Sequence, residues 1–515
     1  MPPLPGLSTA GDASHARGTG VAPAAPAAVA SVAAALLVAA PWLNPFASGP
    51  SAAVTPWLVT LACAGLLLLL APFVRAEVVA RAWLGAALLS AVFGLLQYTG
   101  AAQLFAPWVN QTAIGEAYGN LRQRNQFASL TNIGIAALIW GLGPKALTRN
   151  RQWLALGSVA LLAAANAASA SRTGLLQLLL LAALGVLWQT ARQPGVRRLI
   201  ITATLSYLVA AFLLPLLIGS APLLHGVFAR MADGPASCAS RITLWSNVLH
   251  LIAQKPWFGW GWGELDYAHF STLYPGERFC DILDNAHNLP LQLAVELGIP
   301  AAALVCGAVA WLVIRSRPWS QAQPAKQLAW AVLLMMGVHS LVEYPLWYGP
   351  FFTAAVLCVT LLRHAAESEP TEARQLPTAL TGAAGLALLC AVAYVAWDYH
   401  RISQIYTAPE ARTPAYRDNT LAKIRGTWLF ADQVKFAELT MSTVQRGNAQ
   451  AMLALASACL HYSPEPAVVE RLIESEVMLG MDDAALLDLA RYKAAFPKEH
   501  AAWALANLRA VQKAP

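Results

Sequence analysis

A succession of apolar segments, each close to the length needed to cross a bilayer, limits most sharply what this chain can fold into. A helix spans the hydrocarbon core with about 20 predominantly apolar residues. By that criterion helices fall near 27–43, 54–72, 78–98, 126–142, 152–170, 173–190, 198–219, 288–314, 327–341, 345–363 and 377–397. Composition agrees, since 57% of the 515 residues are hydrophobic and 12% are charged, against about 25% charged in soluble domains. The expectation is an all-α, polytopic membrane protein with about 11 transmembrane helices across 27–398. Short breaks around 170–173 and 341–345 imply tight hairpins or broken helices. Residues 1–26, rich in Ala, Pro and Gly, read as a disordered tail without the order of a cleavable signal peptide. From about Asp398 charges of both signs appear. Stretches such as "NAQAMLALASACLHY" and "DDAALLDLARYKAAFPKEHAAWALANL" then carry helical periodicity. Residues 399–515 are therefore expected to form a small helical-repeat-like domain for bracing or partner binding.

The formal charge of +7 is not a nucleic-acid signature, because Lys and Arg are scattered between apolar spans. They fall in alternate loops: Arg75 and Arg81; Lys145, Arg149 and Arg151; Arg192, Arg197 and Arg198; Arg315, Arg317 and Lys326; then Arg363 and Arg374. The positive-inside rule puts these loops and the N-terminus in the cytoplasm. The loops 99–125 and 220–287, the hairpins at 171 and 343, and the C-terminal region then face outward. Arg122, Arg124, Arg172, Arg241 and Arg278 lie on that outer side, where topology asks for no basic residue. Arg172, in "ASASRTGLL", is at or in the membrane surface. Either it snorkels to headgroups, or several arginines converge on a bound anion, for which the guanidinium fork suits phosphate. The seven cysteines fit no metal pattern, with no Cys-x-x-Cys and no Cys/His cluster. Cys238 and Cys280 share the outer loop 220–287 and are expected to pair in an oxidising compartment.

Within the segment Asp281–Pro300 a polar run carrying His287 and Asn288 tips at Pro290 into an apolar helix expected to reach about Ile314. Asp284 or Asn285 is a candidate cap. A histidine at a helix N-terminus tends to stay neutral and can take a proton from a hydroxyl, or it can simply hydrogen-bond the helix end. Upstream, Arg241 to Gln254 reads as an amphipathic helix lying in the membrane interface, with Ile242, Trp245, Leu249 and Ile252 on one face. The "GWGWGE" turn follows, with Trp260 and Trp262 either anchored at headgroup depth or stacked on sugar.

The elements "GNLRQRNQFASL" (119–130), "SRTGLL" (171–176), "SRITLW" (240–245), "GWGWGE" (259–264), "AHNLPLQLAVELGIP" (286–300) and "HSLVEYPLWY" (339–348) occur in this order. As a set, from about residue 100 onward, they resemble the bacterial O-antigen ligase and polymerase superfamily, and most of all its PglL-type protein O-oligosaccharyltransferases. The resemblance implies an inner-membrane glycosyltransferase with its active site facing the periplasm. Its donor would be a glycan on undecaprenyl pyrophosphate, and its acceptor Ser or Thr of pilin-like or other periplasmic proteins. It implies that His287 is essential, with essential arginines at Arg172 and Arg241 and functional roles for Tyr344 and a glutamine matching Gln123. The polar neighbours Arg124 and Asn125 could take the glutamine's role, and Asn288, Glu343 and Trp260 complete the expected substrate site. Glu343 could pair with an arginine, fix the tautomer of His287 or only serve helix packing. Such enzymes are thought to need no divalent metal or other cofactor. Direct displacement with inversion is expected, because no evident nucleophile accompanies the histidine. An O-antigen ligase, with lipid A-core as acceptor, and an O-antigen polymerase share donor and base. A flippase for an anionic solute would instead put its charges near the midplane with inverted repeats, and neither is detected.

Overall fold

The computed structural model describes residues 25–143, 148–222, 226–232, 237–364 and 378–513. Residues 1–24 of the N-terminal tail, Lys145 and Arg374 lie outside the described residues. Helices account for the regular structure, and no strand occurs among the described residues. The first part of the chain forms α1 (Ala25–Leu43), α2 (Val54–Leu69), α3 (Ala76–Tyr98), α4 (Arg124–Ala136), α5 (Arg149–Ala168), α6 (Arg172–Leu187) and α7 (Pro194–Leu217). The next segment carries α8 (Val227–Ala232), α9 (Arg241–Gln254) and α10 (Leu265–Ser271). Then come α11 (Leu289–Leu297), α12 (Ile299–Ser316), α13 (Pro324–Ser340), α14 (Gly349–His364) and α15 (Thr378–Ser403). The tail holds α16 (Thr420–Ile424), α17 (Ala431–Met441), α18 (Ala449–Leu460), α19 (Pro466–Met478), α20 (Asp482–Ala495) and α21 (Pro497–Lys513).

Among the described residues, five segments are long and apolar enough to cross a membrane: Pro26–Leu43, Ala76–Tyr98, Pro194–Leu217, Ile299–Ser320 and Thr378–Tyr406. Val54–Leu69, Arg172–Leu187 and Gly349–Arg363 are apolar but shorter. The chain is thus a multi-pass helical membrane protein. Its main core gathers α1, α3–α7, α13 and α14 around Trp42, Trp83, Phe127, Leu130 and Phe351. Small residues let the backbones approach: a Cβ on Gly134 would stand 2.5 Å from the Ala87 methyl, the close contact on which helix association in lipid relies. By contrast α12 turns Leu304, Val309, Trp311 and Ile314 outward, as a helix facing hydrocarbon does.

Several expectations are corrected. The single helix expected over 288–314 is two, because Gly298 breaks it with a left-handed backbone (φ 88). A Cβ there would lie 2.2 Å from the Trp257 carbonyl oxygen, so only glycine fits. The "GWGWGE" turn grips this elbow: Trp260 N donates to Val295 O at 2.8 Å, Gly261 N to Glu296 O at 3.0 Å, and Ile299 N to Pro256 O at 2.8 Å. The segment expected at 126–142 ends as a π-helical turn, Ala137–Leu142. The helix expected from 345 begins at Gly349, after a 3₁₀ turn Pro345–Trp347. The α9 helix has the expected ends, but its buried face is Leu244, Val248, Leu251 and Ile252. Ile242 and Leu249 of the expected stripe are exposed. Both faces of α9 are apolar, so periodicity alone did not choose between them, and the segment 237–302 encloses its own small core.

In the tail, α17 to α21 pack largely against sequence neighbours around Val468, Leu472 and Tyr492. Phe270 of α10 is buried in this same core. Glu264 accepts from His461 Nδ1 at 2.7 Å, and Tyr267 stacks on the His461 ring. Loop and tail are therefore joined. Inside the tail, Glu476 is 4% exposed and its Oε2 has no partner among the described residues. Burial pushes its carboxyl from 4.5 up to about 7, and Asp488 adds to the rise while Arg491 opposes it. The folded tail thus holds a proton that the unfolded chain releases near pH 4.5. Stability should be highest below that pH, fall as pH rises to about 7 and level off above it. Hydrogen exchange of 466–495, corrected for intrinsic rates, should be faster at about pH 8 than at about pH 5.5, and Glu476→Gln should flatten the difference. Equal protection in the unmodified chain would show that Glu476 is ionised in the folded state.

Candidate active site

His287 lies just before a helix start, as expected, one residue ahead of the N-cap of α11. Asn288, not Asp284 or Asn285, is the N-cap of α11, its Oδ1 accepting from Leu291 N at 3.0 Å. Pro290 follows inside the first turn, where its missing N–H leaves nothing unpaired. His287 has a left-handed backbone (φ 48), uncommon for a residue with a Cβ. Side chains hold it there: Asn285 Oδ1 accepts from His287 N at 2.8 Å, and Gln292 Oε1 accepts from Ala286 N at 2.6 Å. Trp245 Nε1 donates to Ala286 O at 3.0 Å and so ties α9 to the same segment. Cys238 and Cys280 form a disulfide with Cα atoms 5.3 Å apart, linking the start of α9 to the approach to His287.

Glu343 is the hub of the cluster. Its Oε2 lies 2.8 Å from His287 Nδ1, and its Oε1 accepts from Arg241 Nη2 at 2.8 Å and from Asn125 Nδ2 at 3.2 Å. Asn125 Oδ1 in turn accepts from the Ser171 hydroxyl at 2.7 Å, and Ser171 caps α6, whose first residue is Arg172. Burial works against ionising Glu343, but the hydrogen bond from His287 and the charges of His287 and Arg241 outweigh it, so the carboxyl sits below its usual range. An ionised carboxylate takes a proton donor, so Nδ1 carries hydrogen in this contact. Nε2 has no hydrogen-bond partner among the described residues. Arg241 Nη2 also lies 2.9 Å from Nδ1, but with the Nδ1 hydrogen given to Glu343 no lone pair is left there to accept from it. The Tyr344 ring meets His287 edge-on at 4.9 Å and stacks with Tyr348 at 5.7 Å. Burial pushes the Tyr344 hydroxyl up, so it remains a neutral donor.

The residues are held from below. Glu343 N donates to His339 O at 2.9 Å, at the end of α13. His339 Nδ1 lies 3.1 Å from Ser129 Oγ of α4, and Gln177 of α6 donates to Ser129 Oγ at 2.9 Å and to Met335 O at 3.1 Å. This polar seam locks together the three helices that present Asn125, Arg172 and Glu343.

Other expected residues stand apart. Gln123 caps α4 through its Oε1, which accepts from Gln126 N at 2.7 Å. Arg124 donates to Tyr118 OH at 2.8 Å and Glu116 at 3.3 Å. Asn288 Nδ2 donates to Leu341 O at 3.0 Å, joining α11 to the hairpin that bears Glu343. Trp260 packs in the loop core, with Nε1 on Leu251 O at 3.0 Å and Lys255 Nζ 4.0 Å from its ring centre. Trp262, 63% exposed, stacks instead on Trp347 of the hairpin. Arg278 also belongs to the loop, donating to Thr272 O at 3.0 Å, and Arg122 donates to Pro45 O. Sequence reasoning missed Ser171, Tyr348 and Arg230. Arg230 met the same criterion as its fellow outer-loop arginines, whereas Ser171 and Tyr348 lay inside the quoted elements "SRTGLL" and "HSLVEYPLWY" without being singled out.

A histidine, a carboxylate and an arginine thus converge where the ends of several helices of a membrane bundle meet. This defines a membrane protein with a polar site equipped to take a proton and to receive an anion. Residues 157–306 match the family described as "O-Antigen ligase", 117–140 "Protein glycosylation ligase", and 327–510 "Virulence factor membrane-bound polymerase, C-terminal". The chain is similar to two proteins of Acinetobacter baylyi. One is a "General O-oligosaccharyltransferase", 24% identical over 164 residues, which are 31% of this chain and 28% of that protein. The other is a "ComP-specific O-oligosaccharyltransferase", 27% identical over 240 residues, 46% of this chain and 42% of that protein. The chain therefore spans less than half the length of the curated relatives it matches. The resemblance to the O-antigen ligase superfamily, and to PglL-type proteins within it, is borne out by these matches.

The disulfide closes a loop between residues 42 apart. Chain-entropy arithmetic puts its contribution at roughly 3–4 kcal/mol. Peptide mapping of non-reduced protein should recover the Cys238–Cys280 pair, and replacing both by Ser should raise hydrogen exchange across 237–287. Alkylatable thiols at both positions would rule the bond out.

Proposed function

We propose that this protein is an oligosaccharyltransferase. It moves a glycan en bloc from undecaprenyl pyrophosphate to Ser or Thr hydroxyls of periplasmic, pilin-like proteins. The carrying observation is the cluster in which Glu343 binds His287 Nδ1 and Arg241 together, with His287 and Arg241 in the segment matching the O-antigen ligase family and Glu343 in the one matching the membrane-bound polymerase family. In this reading the acceptor oxygen bonds to the anomeric carbon with inversion while the carbon–oxygen bond to the diphosphate breaks. His287 Nε2 takes the hydroxyl proton, a role worth about 10²–10⁴ in rate. Glu343 holds the imidazole in its Nδ1–H form and offsets the imidazolium charge that develops, as the carboxylate of a triad does. Arg172 and Arg241 bind the diphosphate and stabilise the charge that grows on it, so the step is written without a divalent metal. Tyr344 orients the donor by hydrogen bonding, and Gln123, Arg124, Asn125 and Asn288 position substrate or the residues that touch it. Trp262 supports sugar stacking better than Trp260, because its face is exposed beside the hairpin.

The topology proposed is eleven spans with a cytoplasmic N-terminus in the inner membrane. The segment 220–287, the cluster and the helical domain 399–515 are then periplasmic. The matches to ligase and polymerase models support a second reading with the same donor and base, in which lipid A-core or another lipid-linked repeat is the acceptor. Co-expression with a lipid-linked glycan pathway separates the two. Mass spectrometry should find glycan on a protein hydroxyl, whereas a changed lipopolysaccharide ladder with unmodified protein would favour the ligase or polymerase.

In purified, lipid-reconstituted protein, His287→Ala should lower transfer by about 10²–10⁴-fold and leave donor affinity nearly unchanged. Glu343→Gln should also lose turnover, because its amide can donate to Nδ1 and reverse the tautomer. Transfer at the wild-type rate by His287→Ala would refute the base assignment. For orientation, a reporter fused after Pro515 should be active only in the periplasm, and cytoplasmic activity would mean an even number of spans.

A further inference from the structure

Arg230 is the remaining arginine at this site. It sits on α8 in the segment after α7, and its Nη1 donates to Ala170 O at 2.9 Å. That bond puts it on the corner between α5 and α6, directly before the Ser171 cap and Arg172. Burial, and after it the positive charges of Arg124 and Arg172, hold its guanidinium below the usual arginine range, while Tyr118 and Glu343 act weakly the other way. Arg230 therefore sits at the corner that carries Arg172, close enough to Arg172 and Arg124 to feel their charge. The carboxylates nearby are already engaged, Glu116 with Arg124 and Glu343 with Arg241 and His287. Among the described residues, neither Arg172 nor Arg230 has a carboxylate within salt-bridge distance. Like charges gathered in a half-buried recess repel one another unless an anion joins them.

We infer that Arg230, together with Arg172 and Arg124, binds the diphosphate of the lipid-linked donor. This rests on the donor reading above and extends it to a residue outside the resembling motifs. Arg241 gives Nη2 to Glu343 beside the base, so it meets the diphosphate, with Arg172, only through its remaining N–H groups. Arg230 supplies a second guanidinium on the same corner. Its bond to Ala170 O uses one Nη1 hydrogen and leaves the other N–H groups for phosphate oxygens.

The test uses the full chain in detergent micelles with farnesyl diphosphate as probe. Arg230→Gln removes the charge but keeps an amide donor for Ala170 O. It should bind farnesyl diphosphate about tenfold more weakly, the cost of losing a hydrogen bond to a charged group. Arg230→Lys keeps the charge without the planar fork and should lose less. Its weaker binding at an unchanged thermal midpoint would support the inference even if Arg230→Gln does not fold. Wild-type affinity in both Arg230 variants, with Arg172→Ala weakened, would reduce Arg230 to a brace for the α5–α6 corner and overturn this inference alone. If the wild-type chain bound no farnesyl diphosphate, the inference and the donor reading would fail together. Phosphatidylglycerol that displaces the probe as effectively as unlabelled farnesyl diphosphate would make the recess a headgroup site and also overturn the inference.

Discussion

The site depends on one carboxylate shared between a histidine and an arginine. Glu343 is 12% exposed at its side chain, so its charge survives only because Arg241, His287 and Asn125 all donate to it. Remove that charge and three things go together: the tautomer of His287, the position of Arg241, and the link through Asn125 to the cap of α6. A buried ion pair contributes little net stability once desolvation is counted. Its value here is geometric, since it holds groups from four separate stretches of chain at hydrogen-bond distance.

A second polar layer supports the first from within the bundle. Ser129, Gln177 and His339 lie almost wholly buried among apolar helices and join α4, α6 and α13. In hydrocarbon such groups are costly unless paired, and pairing across helices fixes their relative register. The seam is not fully satisfied: His339 Nε2, Asn132 Oδ1 and both polar atoms of Asn166 are buried without partners among the described residues. Small residues complete the arrangement. A Cβ on Gly174 would fall 2.5 Å from Asn166 Oδ1, so α6 can approach only where that residue is glycine.

The segment that carries Arg241 and His287 is built as a folded unit. It has an apolar core, a disulfide and a glycine turn clamped on the α11–α12 elbow. Its α10 helix extends Tyr267 and Phe270 into the core of the tail. Packing thus runs without interruption from the tail to the loop that presents the base. This gives the tail a bracing part in the structure, whatever else it binds.

Much of the architecture was legible in the sequence, because apolar length is a strong signal where every backbone group must be satisfied inside a helix. The helices around 27–43, 78–98 and 198–219 were found within a few residues of their ends. The pairing of Cys238 with Cys280 followed from a shared loop, and the position of His287 beside a helix start from Pro290, although the cap is Asn288 and not Asp284 or Asn285. The break at Gly298 was not legible, because a glycine in an apolar run looks alike whether the helix passes through it or bends. Only the Trp257 carbonyl, 41 residues upstream in sequence, requires the bend. Glu343 was left between three roles, and two of them hold at once because its two oxygens meet partners 56 and 102 residues away. Arg230 became part of the site only through its bond to a residue 60 positions earlier. Local patterning determines helices, caps and which residue types are available. Which charges share a recess is a matter of long-range distance, and that was decided by the tertiary packing.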